Sequence, residues 1–475
     1  MNVNKMMTLE EMKDFISITI KDKVSEYTGI NSLEVREYSV EGSDQKGFSF
    51  YYKNSYQLPQ ENLEPLNLLN DLVTLIVHYQ TKYKKVDHSF IDNLFNDLSL
   101  SLIFNNYNIF NEEHKKYGLL IKDLKNIGAK SYEGKSVDIG VIYCPDIDAL
   151  KQLKSLDCDY ISLPIKKTIK SFFDEDKPFL RLIDNASLAI VIDDQFNVTG
   201  LLRKKKSQKS LNYVIEKKFN THVINKTYNL LLDIYLENVK EILESNGREK
   251  TVIEEIDMLK KDMKRDVNNC PGYIYFSIKD SKINVFTENE FVLTYFNGDW
   301  KVKPYYLINA IVANYLFEIH ADHFIFDKKI AYFLFNDLMD SIEVLTETLI
   351  RLSNCSTSSI FLIKNETSKD SNRSNRQPLY LNALSNKDNN FNIIDIDYYL
   401  IESMSSVDGA LIFDSILNIV SFGEVINMSE APKYPDVFGT GTKAARYASK
   451  DCLSIKISED GDIYLFKNEE QLIKI

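Results

Sequence analysis

The sequence predicts a multi-domain α/β (α+β) protein. Three observations carry that prediction. The chain has 475 residues, more than one hydrophobic core serves, and the length suggests roughly two to four domains. Apolar β-branched runs alternate with stretches of helical periodicity. A run of alternating strands contains Asn297-Gly298, a hairpin signal because both central positions of a type I′ turn need positive φ. Hydrophobic residues make up 44% and charged residues 27%, which is enough apolar material to fill real cores.

Residues 1–130 are expected to be mostly helical, since apolar residues recur at helical spacing over Leu68–Tyr79 and Phe90–Ile103. An α/β module follows over 131–205. Val137–Tyr143 reads as a strand ended by Pro145, and Ile147–Leu156 as a helix. Leu188–Ile192 and Val198–Leu202 read as two strands joined by the polar turn Asp193–Asn197. The run Arg203-Lys204-Lys205-Lys206 reads as a solvated linker, with phosphate contact as the alternative.

Residues 206–270 read as a helical hairpin or short coiled coil. Leu232, Leu236, Val239 and Leu243 share one face, Gly247 can end that helix, and Val252, Ile256, Leu259 and Met263 continue with 4-3-4 spacing. Dimerisation and an intramolecular hairpin are both open uses for it. Residues 271–305 read as an antiparallel meander of Tyr273–Ile278, Ile283–Phe286, Phe291–Phe296 and Trp300–Val302. From Tyr305 to Arg351 the pattern is helical again. The last domain covers 306–475, with its core at 340–470, and its polar stretch 365–377 reads as a loop.

The formal net charge of −12 argues against broad nucleic-acid binding, which needs a basic footprint. It leaves room for a local basic pocket. The five cysteines (Cys144, Cys158, Cys270, Cys355, Cys452) are scattered, and none form a Cys-x-x-Cys pair. That pattern argues against a disulfide framework or a zinc site and fits a reducing cytoplasm. Met1 to Phe15 is charged and lacks an apolar signal region. Leu307–Phe317 is interrupted by Asn309 and Asn314 and falls short of the roughly 20 residues a membrane span needs. A cytoplasmic protein with no membrane partner is therefore expected.

Two motif-like stretches fail on inspection. Glu318-Ile319-His320-Ala321-Asp322-His323 resembles the metal signature of metallo-β-lactamase-type hydrolases, but no histidine follows His323 to complete such a site. Gly439-Thr440-Gly441-Thr442-Lys443 has the wrong order for a P-loop, which needs Gly-Lys-Ser/Thr.

The chemistry-bearing segment begins at Ser358. Ser359–Ile363 reads as a strand and Ile396–Met404 as a helix. Asp408-Gly409-Ala410 then enters the apolar run Leu411–Phe413, and Asn418–Ile426 reads as the next strand. A loop with Pro432 and Pro435 leads to Gly439–Lys443 and a short helix, Ala444–Ser449. Cys452–Ile457, the turn Ser458–Asp462 and Ile463–Phe466 follow. Asp408 is a carboxylate with little bulk beside it, which lets a ligand approach the backbone. Gly439–Lys443 offers backbone N–H groups, two hydroxyls and a cation ahead of a helix, and helix N-termini bind phosphate. Together they suggest a carboxylate for a metal or a hydroxyl, facing a phosphate cradle. An N-cap Thr with an ordinary turn is the alternative.

In order and spacing this segment resembles the diadenylate cyclase (DAC) domain of the DNA-integrity-scanning protein and its relatives. Those domains carry Asp-Gly-Ala opening a strand, Gly-Thr-Arg-His-Arg before a helix and Ser-Glu-x-x-Gly in a late hairpin. Asp408-Gly409-Ala410 matches the first motif, and Ser458-Glu459-Asp460-Gly461 matches the third with one residue fewer. The middle motif departs. Gly441-Thr442-Lys443, or Lys443-Ala444-Ala445, stands where Arg-His-Arg is expected, so the His is gone and at most one cation remains. The resemblance covers about a quarter of the chain. The sequence is also similar to the sensor branch of that superfamily, called DACNV, through Asp408–Ala410, Phe422-Gly423-Glu424 and Ser458–Asp462. Relatives of that branch tend to carry a preceding module with a strand pair and a hairpin, which would extend the likeness to 130–305. Asp184-Asn185-Ala186 before Leu188–Asp193 echoes Asp408-Gly409-Ala410 before Leu411–Asp414 and hints at a duplication.

The resemblance implies a C-terminal mixed β-sheet flanked by helices, with ATP or a cyclic dinucleotide as ligand. It implies nucleotide contacts from Gly409, Ala410, Gly439, Thr440, Gly441, Thr442, Lys443, Ser458 and Glu459. If the domain is active, Asp408 would be catalytic and would bind Mg²⁺ or Mn²⁺. Active members work in facing pairs, which implies a homodimer or higher oligomer. Removing one preorganised donor typically costs about 10²–10³ in rate. The expected function is therefore a nucleotide sensor in bacterial signalling, with a degenerate DAC-like domain. The alternatives are an active diadenylate cyclase forming c-di-AMP from two ATP, with cations from Lys443, Arg446 or another segment, and an assembly scaffold with a vestigial pocket.

Overall fold

The computed structural model describes residues 20–31, 33–39, 46–52, 88–106, 111–150, 158–165, 167–205, 209–245, 260–267, 271–289, 291–326, 328–365, 391–434 and 439–475. It is a mixed α/β protein built around two large mixed sheets with helices packed on them. Among the described residues no helix is long and apolar enough to cross a membrane.

The N-terminal region contains helix α1 (Lys21–Thr28), a hairpin β1 (Leu33–Ser39) and β2 (Lys46–Tyr52), and helices α2 (His88–Phe104) and α3 (Glu112–Gly128). Sequence reading gives a mostly helical region here and does not foresee the hairpin. Phe90–Ile103 falls within α2, and Leu68–Tyr79 lies outside the described residues. Asn111 caps α3 by accepting from the His114 N–H at 2.7 Å, and Glu112 and Glu113 sit favourably at its positive end.

The first sheet follows. Its strands are β5 (Asp138–Tyr143), β6 (Cys158–Ser162), β7 (Leu188–Ile192), β8 (Val198–Lys204), β9 (Ile274–Lys279), β10 (Lys282–Phe286), β11 (Val292–Phe296) and β12 (Asp299–Lys303). The small ladder of β3 (Ser131–Tyr132) and β4 (Lys135–Ser136) precedes it, and short helices α4 (Ile169–Glu175) and α5 (Phe179–Leu182) lie between β6 and β7. The spatial order is β12-β11-β10-β9-β5-β7-β8-β6. Residues 131–205 and 271–305, expected as separate regions, thus share one sheet through the β5–β9 pair. Of the expected helix 147–156, Ile147–Leu150 forms a 3₁₀ turn. Positions 151–157 lie outside the described residues.

Helix α6 (Leu211–Ser245) connects β8 to this sheet's return. Residues 260–267 run back beside it. Arg265 N–H donates to Asn229 at 2.9 Å, and Lys264 and Lys260 pair with Asp233 at 3.1 and 3.3 Å. The described part of 206–270 is therefore an intramolecular hairpin. Gly247, Val252, Ile256 and Leu259 lie outside it. Arg265 also pairs with Asp340 and Glu343 of the later helix Lys328–Asn354.

Helices α7 (Tyr306–Phe326) and α8 (Lys328–Asn354) lead into the second sheet. Its strands are β13 (Ser359–Lys364), β14 (Phe391–Asn392), β15 (Ala410–Phe413), β16 (Asn418–Glu424), β17 (Cys452–Ile457), β18 (Ile463–Lys467) and β19 (Glu470–Lys474). Helix α9 (Tyr398–Ser405) precedes β15, and α10 (Thr440–Ala448) precedes β17. The order is β14-β16-β15-β13-β17-β18-β19. Strand β19 was not foreseen from sequence.

The two sheets share one topology. In each, a central parallel pair (β5 with β7, β13 with β15) is flanked by antiparallel neighbours in the same sequence order. The turns after β7 and β15 agree atom for atom. Asp193 Oδ1 accepts from the N–H groups of Gln195 and Asn197 at 2.9 and 2.8 Å. Asp414 Oδ1 accepts from Ile416 and Asn418 at 3.0 and 2.8 Å. Phe196 and Leu417 hold φ of 61° and 62°. The chain is therefore an internal duplication at the level of fold. The register differs from the sequence echo: counting back equally from Asp193 and Asp414 places Ser187, not Asp184, opposite Asp408. Asp184 instead accepts from the N–H groups of Ala186, Ser187 and Leu188.

One continuous apolar core runs between the sheets and the helices on one side of each. Two smaller clusters cover the opposite faces. The first packs Leu211, Ile215 and Phe219 of α6 on Ile142, Val191 and Tyr275. The second packs Ala445 of α10 on Ile360, Ile412 and Phe466.

Candidate functional site

The duplication gives two equivalent sheet ends to compare. Strand β15 begins where β13 begins, because the pair is parallel with Ile360 opposite Ala410. Strand β17 runs the other way and ends there, with Ile457 opposite Ser359. Helix α10 precedes β17, so its first turn returns to the same end. A side chain at Gly441 would lie 3.1 Å from Lys456 Cε and 3.4 Å from Nζ. This end of the second sheet thus gathers Asp408, Gly409, Ala410, the Gly439–Lys443 turn, Lys456 and the Ser458–Asp462 turn.

Asp408 is exposed. Gly409 holds φ of 115°, and a Cβ there would meet the β16 backbone at Gly423 C (2.5 Å) and Glu424 N (2.8 Å). Glycine at 409 is therefore required first by the close approach of the two strands. Ala410 is fully buried and pairs with Glu424.

The first turn of α10 opens at Gly439, with φ of 84° and no side-chain cap. Its initial N–H groups have no intrahelical partner by geometry. Thr442 is buried, and Lys443 N–H bonds to Gly439 O at 3.2 Å. Beneath this turn lies Lys456, 5% exposed. Its ammonium donates to Ser358 Oγ and to Ile457 O, both at 2.6 Å. Burial lowers the Lys456 ammonium from its ordinary range, and the Glu459 carboxylate partly offsets that. The buried Ser454 hydroxyl on the same strand face has, among the described residues, no hydrogen-bond partner.

Sequence reading missed Lys456, which sits in an apolar strand and belongs to no motif. Its alternation with Ser454 on the strand face covered by α10 is the one local signal. Two other residues take structural roles. Ser458 Oγ accepts from the Asp462 N–H at 3.0 Å, which closes the late turn. Arg446, offered as a substitute phosphate cation, donates to Glu469 O at 2.6 Å and lies 4.8 Å over the Tyr434 ring. Of the histidine-containing decoy, His320 bonds to Ser415 O at 2.8 Å.

The first sheet fills the matching place differently. By register, Asp138, Tyr275 and Ser277 stand where Ser358, Ser454 and Lys456 stand in the second. Asn185 joins them. Its amide donates to Asp138 at 3.2 Å and to Ser277 at 3.1 Å, and it accepts from Tyr275 at 2.6 Å. The first turn of α6 is also occupied, since Leu211 and Asn212 N–H groups donate to Ala186 O and Asn185 O at 2.7 and 3.0 Å. Nearby Glu216 is pushed up to about 7 by burial, with the Asp138 charge adding to it. The first copy is closed by its own polar groups and has no aspartate at the 408 position.

Among the described residues no group of three or more His, Cys, Asp or Glu could hold a metal ion. A Mg²⁺ at Asp408 would take most of its ligands from phosphate and water, as Mg²⁺ commonly does.

No family model matches this chain, and no curated protein does. Among solved structures, a crystal structure of a double cysteine mutant of DacA from Staphylococcus aureus is similar at 18% identity and a TM-score of 0.23, over 28% of this chain and 86% of that one. A hypothetical membrane spanning protein from Bacillus cereus is similar at 16% identity and a TM-score of 0.21, over 36% and 91%.

Proposed function

We propose that the second sheet end binds a nucleotide, ATP or a cyclic dinucleotide, and that the chain acts as a sensor of it. The observation that carries this reading is the first turn of α10 above Lys456, uncapped among the described residues, at the sheet end where Asp408 enters β15, set against the closed equivalent in the first copy. A helix N-terminus over a cation suits phosphate. Gly439, Thr440, Gly441, Thr442, Lys443 and Lys456 would hold the phosphates, with Asp408 turned to a phosphate-bound Mg²⁺ or Mn²⁺ or to a ribose hydroxyl. Such a metal would neutralise phosphate charge. Gly409 and Ala410 would keep the approach clear, and Glu459 would balance Lys456.

Sensing is favoured over cyclisation because Gly441-Thr442-Lys443 stands where the resemblance expects Arg-His-Arg, leaving at most one of those cations. One cradle among the described residues is compatible with either reading, since cyclisation would pair it with that of a second copy. The test is calorimetry with ATP and with cyclic dinucleotides, alongside mass spectrometry after incubation with ATP and Mg²⁺ or Mn²⁺. Saturable binding at one site per chain, weakened in Asp408→Asn and Lys456→Met and without cyclic product, is expected. Product that Asp408→Asn abolishes would replace the sensor by a cyclase. No binding of any of these ligands would leave the helix pair and sheets as a scaffold.

A further inference from the structure

A second basic site lies along the same end of the second sheet as Asp408 but four strands across, at β18 and β19, where that sheet meets the edge of the first. A cavity of about 490 Å³ opens there, within the range of small-molecule sites. Lys21 of α1, Lys301 and Lys303 of β12, Lys474 of β19, and Asp462 line it. Lys303 is only 8% exposed, and among the described residues its ammonium has no hydrogen-bond or ion-pair partner. Lysines this buried are rare without a partner. Burial and the neighbouring Lys282 charge push it down to about 8, with Asp462 pulling the other way.

The remaining charges leave a cationic excess. Lys474 is paired with Asp462 at 3.1 Å. Asp22 and Glu26 also line the cavity, and Glu26 faces Lys23 at 3.8 Å. Among the described residues Lys21, Lys301 and Asp22 form no ion pair, and the lining carries four lysines against three side-chain carboxylates, a formal excess of one positive charge. The arrangement also spans both copies of the fold. Gly29 O accepts from Lys474 N–H at 2.7 Å, which ties α1 to the last strand at the rim.

We propose that this cleft binds a compact polyphosphate group, free or carried on a small molecule, and that Lys303 is its central contact. The group would bridge α1, β12 and β19, with Lys21, Lys301 and Lys474 around it. This inference is independent of the Asp408 reading.

The test is calorimetry and thermal shift on the full chain with inorganic tripolyphosphate as probe. Wild type should bind saturably and melt higher as the probe rises. Lys303→Met should weaken binding about tenfold or more, since a charge-assisted contact is lost. Lys21→Glu should weaken it similarly without entering the core, so a folding failure of the first variant leaves the question decidable. No saturable binding overturns the proposal, as does unchanged binding in both lysine variants. A loss found in Lys456→Met and in neither of them also overturns it, because the anion would then sit at the α10 turn beside Lys456. The same titration with ATP separates the sources: Lys303-dependent binding tighter than that of tripolyphosphate supports a carried phosphate chain, and equal binding supports a free one.

Discussion

Removing the charge of Lys303 should stabilise the ligand-free protein at neutral pH. An unfolded lysine keeps its proton up to about 10.4, whereas folded Lys303 keeps it only to about 8. Below 8 both states are charged, and the folded state carries the full cost of burying that charge. Between 8 and 10.4 the unfolded chain holds the extra proton, so stability rises with pH across that window. Above it the cost is gone. The difference corresponds to roughly 3 kcal/mol at pH 7, at about 1.4 kcal/mol per pKa unit. Lys303→Met keeps most of the stem at a buried position and removes the charge. For a chain of 475 residues unfolding as a unit, the unfolding entropy is about 1 kcal/mol/K, so the melting temperature should rise by about 3 °C at pH 7. Calorimetric scans of both proteins at several pH values between 7 and 10.5, in buffer free of polyvalent anions, would measure it. The gap between them should shrink toward pH 10.5. A gap that stays constant with pH, or a variant that melts lower at pH 7, would refute the reasoning.

The same structure makes two further predictions. Gly409→Ala should cost about 3 kcal/mol or more, because its Cβ would meet the β16 backbone at 2.5 Å at a φ that L-residues avoid. Gly298→Ala, also at positive φ but with nothing within 4 Å, should cost only about 1 kcal/mol, and urea titrations of the two compare them directly. Asn185→Ala should destabilise by about 2–4 kcal/mol, since it strands the buried Tyr275 hydroxyl and Ser277. Equal urea midpoints for Asn185→Ala and wild type would contradict the network described for the first copy.

The local rules were legible in the sequence. Strand alternation located β5, β7, β8 and the meander within a residue or two, and Asn297-Gly298 forms the turn between β11 and β12. The order of motifs from Asp408 to Asp462 located one sheet end. These features depend on neighbours a few residues apart, and side-chain periodicity and turn dihedrals record such neighbours directly. The tertiary structure decided the rest. It joined β5 to β9 across the whole of α6, which merged two expected regions into one sheet. It also revealed the duplication, because turn hydrogen bonds and strand register match where residue identities do not. Asn185, singled out as an echo of the glycine in Asp408-Gly409-Ala410, proved to be a buried hydrogen-bonding hub. Lys456 came under the α10 turn only through the β13–β17 pairing, and Lys303 reached the Asp462 turn only through the meeting of the two sheets. A lysine's role is set by what the fold brings within a few ångströms of its ammonium, and the strand pairings that do so here are separated by tens to hundreds of residues, beyond the reach of any sequence period.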